Sequence, residues 1–184
     1  MDFWFTSDEH YDHKNIIQYC NRPFRDVDHQ IEELISRHNS VVKDGDVVWH
    51  LGDFSLNEKT IPKVLPRLHG MHVIVVGNHD RCHMSHKGYK KAEERYWKHF
   101  KWVFTNTVRL PSFILDHFPY VGDSRHEQRY SEYRPEDKGD WLLHGHIHEL
   151  WKTNGRMINV GVDVWDYTPV SYETLLEIKN RASG

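Results

Sequence analysis

The sequence predicts an α/β fold, and three features carry that expectation. Between residues 3 and 80, short β-branched or aromatic runs alternate with stretches of helical period, the pattern of parallel strands joined by right-handed crossovers. Each of these strand-like runs ends in a polar cluster, and in open α/β sheets ligands bind beyond the carboxyl ends of the strands. After residue 107 the chain turns to short strands with tight connections, more like an antiparallel meander. The length, 184 residues, fits one domain over 1–184 with a core of its own.

The elements follow in order. Phe3 to Phe5 reads as a first strand, ending at Thr6-Ser7-Asp8. A helix is predicted from Val27 to Val42, because Ile31, Leu34, Ile35 and His38 recur on one face. Asp28 is its expected N-cap, with Glu32 and Glu33 near the positive end of the dipole. Lys43-Asp44-Gly45-Asp46 is a turn. Asp46 to Leu51 forms the second strand and ends at Gly52-Asp53. Ile61 to Leu68 is a short helix, with Pro62 in its first turn and Pro66 bending it. His72 to Val76 is a strand of the fully buried kind, ending at Gly77-Asn78-His79-Asp80. Val108 to Leu115, Trp141 to Leu143 and Arg156 to Val160 supply the meander, and Ser171 to Lys179 a closing helix. The charged segment from Tyr120 to Asp140 reads as a long loop or small cap, a kind of connection that is often functional.

Composition excludes several classes. Hydrophobic residues make up 38% of the chain and aromatics 13%, too apolar for disorder. No apolar run approaches the ~18–20 residues that span a bilayer, so no membrane partner is expected. The N-terminus shows no basic leader followed by an apolar stretch. Cys20 and Cys82 form no CxxC pair, which argues against a disulfide framework or a thiolate zinc site and makes a reducing cytoplasm the expected location. A net charge of -3 lacks the basic surplus of a nucleic-acid coat, so no stable nucleic-acid complex is expected. The outlier is histidine, with 16 residues. Imidazole is the commonest metal-ligating side chain, and position decides whether that surplus has meaning.

The positions cluster. Asp8-Glu9-His10, Gly52-Asp53, Gly77-Asn78-His79-Asp80, His117 and His144-Gly145-His146-Ile147-His148 stand out, most of them at predicted strand ends. Asp8 and His10, two apart after a strand, are expected to point to one side, and His146 with His148 repeats the spacing. Gly145 lets backbone approach without a Cβ in the way. Asp53 offers two carboxylate oxygens and can bridge two ions, and Asn78 adds a neutral oxygen acceptor. Asp8, His10, Asp53, Asn78, His117, His146 and His148 are too many ligands for one tetrahedral ion and suit two ions sharing Asp53. A nitrogen and oxygen donor set without thiolate fits Mn, Fe, Ni, Co or Zn, and Mn2+ is the ion expected first. His50 and His144, beside ligand clusters, are read as packed or supporting histidines.

In this order, Asp8-x-His10, Gly52-Asp53, Gly77-Asn78-His79-Asp80, His117-x-Pro119 and Gly145-His146-x-His148 resemble the calcineurin-like metallophosphoesterases. Ser7-Asp8-Glu9-His10-Tyr11-Asp12-His13 and Asn21-Arg22-Pro23-Phe24 are similar to that family's small bacterial and bacteriophage branch. The resemblance implies a four-layer α/β/β/α sandwich. It implies a first ion on Asp8, His10, Asp53 and His148, and a second on Asp53, Asn78, His117 and His146. His79 would face the substrate without ligating. The implied chemistry is phosphoester hydrolysis by a metal-bridging water or hydroxide, with His79 stabilising charge or protonating the leaving oxygen. Asp80 would orient His79 or, alternatively, cap the loop as a turn carboxylate.

A compact domain with a small cap suits a small phosphodiester, and the small-branch likeness points to (2',3'-)cyclic nucleotides. Arg22, His13 and Tyr11 are candidate substrate contacts. Trp49, Tyr120 and Tyr130 are further candidates for stacking, and Arg125 and Arg129 for phosphate contact. A phosphomonoesterase or protein phosphatase is the alternative, and a non-catalytic interaction module on the same fold is a second one. The latter is disfavoured because His79 is present.

Overall fold

The computed structural model describes residues 1–123 and 129–183. Its strands are β1 (Phe3–Thr6), β2 (Val47–His50), β3 (Met71–Val75), β4 (Trp102–Phe104), β5 (Val108–Arg109), β6 (Ile114–Leu115), β7 (Leu142–His144), β8 (Thr153–Asn154), β9 (Met157–Asn159) and β10 (Val170–Ser171). The helices are α1 (Lys14–Tyr19), α2 (Val27–Val41), α3 (Ile61–Val64), α4 (Tyr89–Tyr96) and α5 (Tyr172–Ser183).

Two mixed sheets result, with strand orders β10-β1-β2-β3-β4 and β5-β6-β7-β9-β8. In the first, β1 to β4 run parallel and β10 joins β1 antiparallel. The crossovers from β1 to β2 and from β2 to β3 carry α2 and α3, the helical segments read from the sequence. α2 buries Leu34, Ile35 and His38. Its N-cap is Asp26 rather than Asp28, because Asp26 is extended and its carboxylate accepts the His29 N–H at 2.8 Å. α3 gives way to a tighter 3-10 turn over Leu65–Arg67, where Pro66 removes a donor.

The second sheet corrects the expected meander. β6, β7 and β9 are parallel, and only the edge strands β5 and β8 are antiparallel. The run 108–115 is two short strands folded on each other, Val108 opposite Leu115, rather than one strand. α1, α4 and β4 lie outside the elements read from sequence: α1 and β4 are short, and the face of α4 buries only Ala92 and Tyr96.

Alternation along the strands divides the core. Ile74 packs with Leu34 and Ile35 of α2, Ile61 and Val64 of α3, and Tyr96 of α4. Its neighbour Val75 points the other way and packs with Phe5, Leu115, Leu143 and Ile158 of both sheets. A smaller cluster, Ile114, Leu142 and Met157, is covered by Tyr120 and Trp151. Tyr120 to Asp140 contains one 3-10 turn, Ser131–Tyr133, among its described residues. No helix among the described residues is long and apolar enough to cross a membrane.

Candidate metal centre

The clusters singled out in the sequence converge beyond the carboxyl ends of β1, β2, β3, β6 and β7. Asp53 lies at the middle. Its Oδ2 is 3.7 Å from His10 Nε2, 3.5 Å from His117 Nε2 and 4.0 Å from His79 Nε2. On one side, His10 Nε2 and His148 Nε2 are 3.2 Å apart and lie 3.9 and 3.6 Å from Asp8 Oδ1. On the other, His117 Nε2 is 3.1 Å from Asn78 Oδ1. Two overlapping donor groups emerge, Asp8 with His10 and His148, and Asp8 with Asp53 and His117. His146 stands apart. Its ring lies 5.2 Å from that of His117, but its Nε2 meets Asp123 Oδ1 at 3.2 Å.

Asp8 and His10 do share a side, but not because a strand alternates. β1 ends at Thr6, and both residues then take left-handed backbone, with φ of 57° and 52°. Asp53, His146 and His148 do the same at 56°, 73° and 48°. Non-glycine residues rarely adopt this region, and holding one there costs about 1–3 kcal/mol. Hydrogen bonds hold the conformation: Asp8 N–H and His10 N–H donate to the carbonyls of Gly52 and Asp53 at 3.0 Å each. The glycines permit the closeness. A Cβ on Gly145 would overlap Ser7 Oγ and Asp8 Oδ2.

The electrostatics of the cage ask for a cation. Burial, with the Asp53 charge adding to it, pushes the Asp8 carboxyl well above its ordinary value. Burial also works against charge on Asp53, but His117, His79 and His10 around it hold that carboxyl well below the usual range. Burial lowers His10 strongly, His117 to about 4 and His148 to about 3, so all three imidazoles are neutral at pH 7 and offer lone pairs. His117 Nδ1 is 2.8 Å from the Leu51 carbonyl, a partner that fixes Nε2 as the lone-pair nitrogen. Asp8 Oδ1 is buried without a hydrogen-bond partner among the described residues. Two buried carboxylates and neutral imidazoles around an unpartnered oxygen fit divalent ions.

Two candidate substrate contacts, Arg22 and Tyr11, and the orienting role offered for Asp80 are corrected. Arg22 does not reach toward solvent: it is 4% exposed and lies beneath the cage. Its Nε and Nη2 grip Asp163 at 2.8 Å each, while Nη2 and Nη1 donate to the carbonyls of Asp8 and Glu9 at 2.7 and 2.9 Å. Tyr11 is core, buried against Phe54 at a ring distance of 4.9 Å. Asp80 does not orient His79. Its Oδ2 accepts the backbone N–H groups of Asp53 and Gly77 at 2.9 Å each, which makes it the loop-capping carboxylate. Burial first, and then the charge of Asp53, raises it to about 8.

His79 and His13 stand at the rim. The His79 side chain is 41% exposed, its backbone N–H donates to Asp53 Oδ1 at 2.8 Å, and its ring lies 5.3 Å from that of His10. His13 is half-buried, with its ring 5.3 Å from His10 and 6.2 Å from His79.

No family model matches the chain. The gene 66 protein of Mycobacterium phage D29 is 35% identical over 185 residues, covering 91% of each chain. The chain belongs to the family of the mycobacteriophage gene 66 proteins. The gene 66 protein of Mycobacterium phage L5 is 34% identical, with 88% of this chain and 86% of that one covered. An uncharacterized protein of Methanocaldococcus jannaschii is 31% identical, with 95% and 89% covered. A protein of unknown function from Aquifex aeolicus shares the fold, with a TM-score of 0.71 over 96% of this chain and 98% of that one at 24% identity.

Sequence reading missed Asp123 and Asp163, since neither sits in a motif and each finds its partner, His146 or Arg22, only through the fold. His50 is a supporting residue as expected, 2.5 Å from Glu9 Oε1 and 3.0 Å from His72 Nδ1. His144 is buried, its Nδ1 2.8 Å from the Gly145 carbonyl. Cys20 falls near His148 and Glu149, but burial pushes its thiol up, so it is no thiolate at neutral pH. Trp49 packs on Phe104 at a ring distance of 5.7 Å, and Tyr120 covers the second sheet. Arg125 lies outside the described residues.

Proposed function

We propose that this chain is a dinuclear metal-dependent phosphoesterase of the calcineurin-like type. Its substrates on this reading are small phosphodiesters such as 2',3'-cyclic nucleotides. The observation that carries the reading is the donor cage itself: Asp8 Oδ1, unpartnered, and Asp53 Oδ2 facing His10, His117 and His148 at ion-pair distances. The two mixed sheets become the inner layers of a four-layer α/β/β/α sandwich.

Asp8, His10, Asp53 and His148 would hold one ion, and Asp53, Asn78 and His117 the other, with His146 joining after exchanging Asp123 for the metal. When bound, Mn2+ or a similar divalent ion supplies an acidified water and neutralises charge on the phosphoryl oxygens. The chain does the rest. Asp80 caps the loop that carries Asn78 and His79, and Asp53 Oδ1 anchors the His79 backbone. The exposed His79 ring is then free to hydrogen-bond a phosphoryl oxygen or to give a proton to the leaving oxygen. His13 widens the polar rim beside it.

His79→Ala is expected to keep wild-type Mn2+ affinity by calorimetry and to lose most hydrolysis of bis(p-nitrophenyl) phosphate. Asp53→Ala and Asn78→Ala lose metal as well. A wild-type rate in His79→Ala refutes its role. A preference for p-nitrophenyl phosphate over the diester turns the reading to a monoesterase. No hydrolysis with Mn, Ni, Co or Zn turns it to a non-catalytic module.

A further inference from the structure

The backbone from His10 to His13 bends twice against its preferences. His10 and Asp12 both take left-handed conformations, at φ of 52° and 65°. The first bend aims a side chain of the cage. The second lies beyond that side chain, and holding it also costs about 1–3 kcal/mol. Tethers to the segment 54–60 keep it in place. Tyr11 N–H donates to the Phe54 carbonyl at 2.9 Å, and Ser55 Oγ–H to the Tyr11 carbonyl at 2.7 Å. Asp12 Oδ2 accepts from Asn57 Nδ2 and Thr60 Oγ1 at 3.1 Å each. After the bend, His13 N–H closes back on the His10 carbonyl at 3.1 Å. The side chain that this strained turn delivers to the cage is that of His13.

Helix capping does not account for that placement. His13 occupies the N-cap position of α1, yet its side chain makes no capping hydrogen bond. Its ring is fixed from two sides instead, edge-on to His10 at 5.3 Å and to Tyr19 at 6.3 Å, and it lies 6.2 Å from His79. The two ring nitrogens differ. Nδ1 is buried without a hydrogen-bond partner among the described residues, while the residue is half-buried, so Nε2 is the nitrogen on the open side. A neutral imidazole carries its proton there, because on Nδ1 it would be a buried donor without an acceptor. A charged imidazole carries one there as well. In either state His13 presents an N–H at the rim beside His10.

We propose that His13 is a second substrate-contacting imidazole, whose Nε2–H donates to a non-reacting phosphoryl oxygen while His79 faces the leaving oxygen. This rests on the phosphoesterase reading. With 6.2 Å between the two rings, separate oxygens of one phosphoryl group can face one imidazole each, since such a bond spans about 2.7–3.2 Å from nitrogen to oxygen. The two histidines then leave different kinetic signatures. A contact made equally in ground state and transition state shows in KM, and one made only as the leaving oxygen departs shows in kcat.

The test uses the full chain loaded with Mn2+, with inorganic phosphate as the probe in calorimetry and bis(p-nitrophenyl) phosphate for turnover. His13→Ala is expected to keep its Mn2+ affinity and to bind phosphate about tenfold or more weakly, the loss expected of one hydrogen bond to a charged group. KM for the diester rises in the same proportion, with kcat within about threefold of wild type. His13→Gln carries an amide N–H about as far out as Nε2 and recovers most of the phosphate affinity. His13→Asn, whose amide reaches only as far as Nδ1, does not. Unchanged phosphate affinity in His13→Ala overturns the proposal. So does a parallel loss of Mn2+ affinity, which makes His13 a support for His10, and so does equal recovery by the Gln and Asn variants. If His13→Ala does not fold, the Gln and Asn pair decides. Absence of diester hydrolysis in wild type refutes the phosphoesterase reading, whereas the phosphate titrations still decide whether His13 holds the oxyanion.

Discussion

Arg22→Ala tests how the cage is held from beneath. The guanidinium and the Asp163 carboxylate face each other at 2.8 Å, with side chains 0% and 1% exposed. Burial pushes the Asp163 carboxyl up, against the pull of Arg22, so the pair is needed to keep it ionised. Removing one partner of such a pair costs about 3–5 kcal/mol, because a charge stays buried alone. The carbonyls of Asp8 and Glu9 also lose their donors, at about 1–3 kcal/mol each where no water replaces them. Against a total stability of about 5–15 kcal/mol, a loss of at least about 3 kcal/mol is a large shift in the urea midpoint of EDTA-treated protein. The double variant Arg22→Met/Asp163→Leu buries no charge and is expected to recover much of that loss. It still removes the donors to the carbonyls of Asp8 and Glu9, so its Mn2+ affinity stays about tenfold or more below wild type, a difference of about 1.4 kcal/mol. The reasoning is refuted if Arg22→Ala unfolds within about 1 kcal/mol of wild type, or if the double variant is no more stable than the single one.

Three further outcomes are expected. Gly145→Ala drives a methyl group into Ser7 Oγ and Asp8 Oδ2, and calorimetry should show weaker Mn2+ binding while near-ultraviolet circular dichroism stays native-like; unchanged affinity would count against the close approach. Asp80→Ala strands the buried N–H groups of Asp53 and Gly77 at about 1–3 kcal/mol each, whereas Asp80→Asn keeps an acceptor and loses less, an ordering that thermal melts can check. His38 and His72 are lowered by burial to about 3, below an ordinary value near 6.5, so the unfolded chain takes up protons that the folded one refuses. Their contribution is complete above pH 6.5 and is lost as pH falls toward 3, at about 1.4 kcal/mol per pH unit for each histidine; His72→Gln should flatten that acid limb in urea titrations of metal-free protein, and an unchanged slope would show that His72 does not refuse the proton.

Local pattern made β1, β2, β3 and α2 legible, because alternation and helical period are properties of neighbouring residues. It also marked the clusters of Asp, His and Asn after strand-like runs, which the fold brings together. Sequence alone therefore marked Asp8, His10, Asp53, His117 and His148, which do meet, whereas His146 turns to Asp123. Only tertiary structure decided how they are aimed and what each arginine, tyrosine and second carboxylate does. Asp8 and His10 converge through left-handed backbone pinned to Gly52 and Asp53, which no strand rule anticipates. Arg22 is drawn under the cage by Asp163, 141 residues away. Tyr11 is taken into the core by Phe54, and Asp80 turns inward to two backbone N–H groups. A charged or aromatic side chain carries no sign of which way it will face until a distant partner fixes it, because burial and pairing energies belong to the pair and not to the residue.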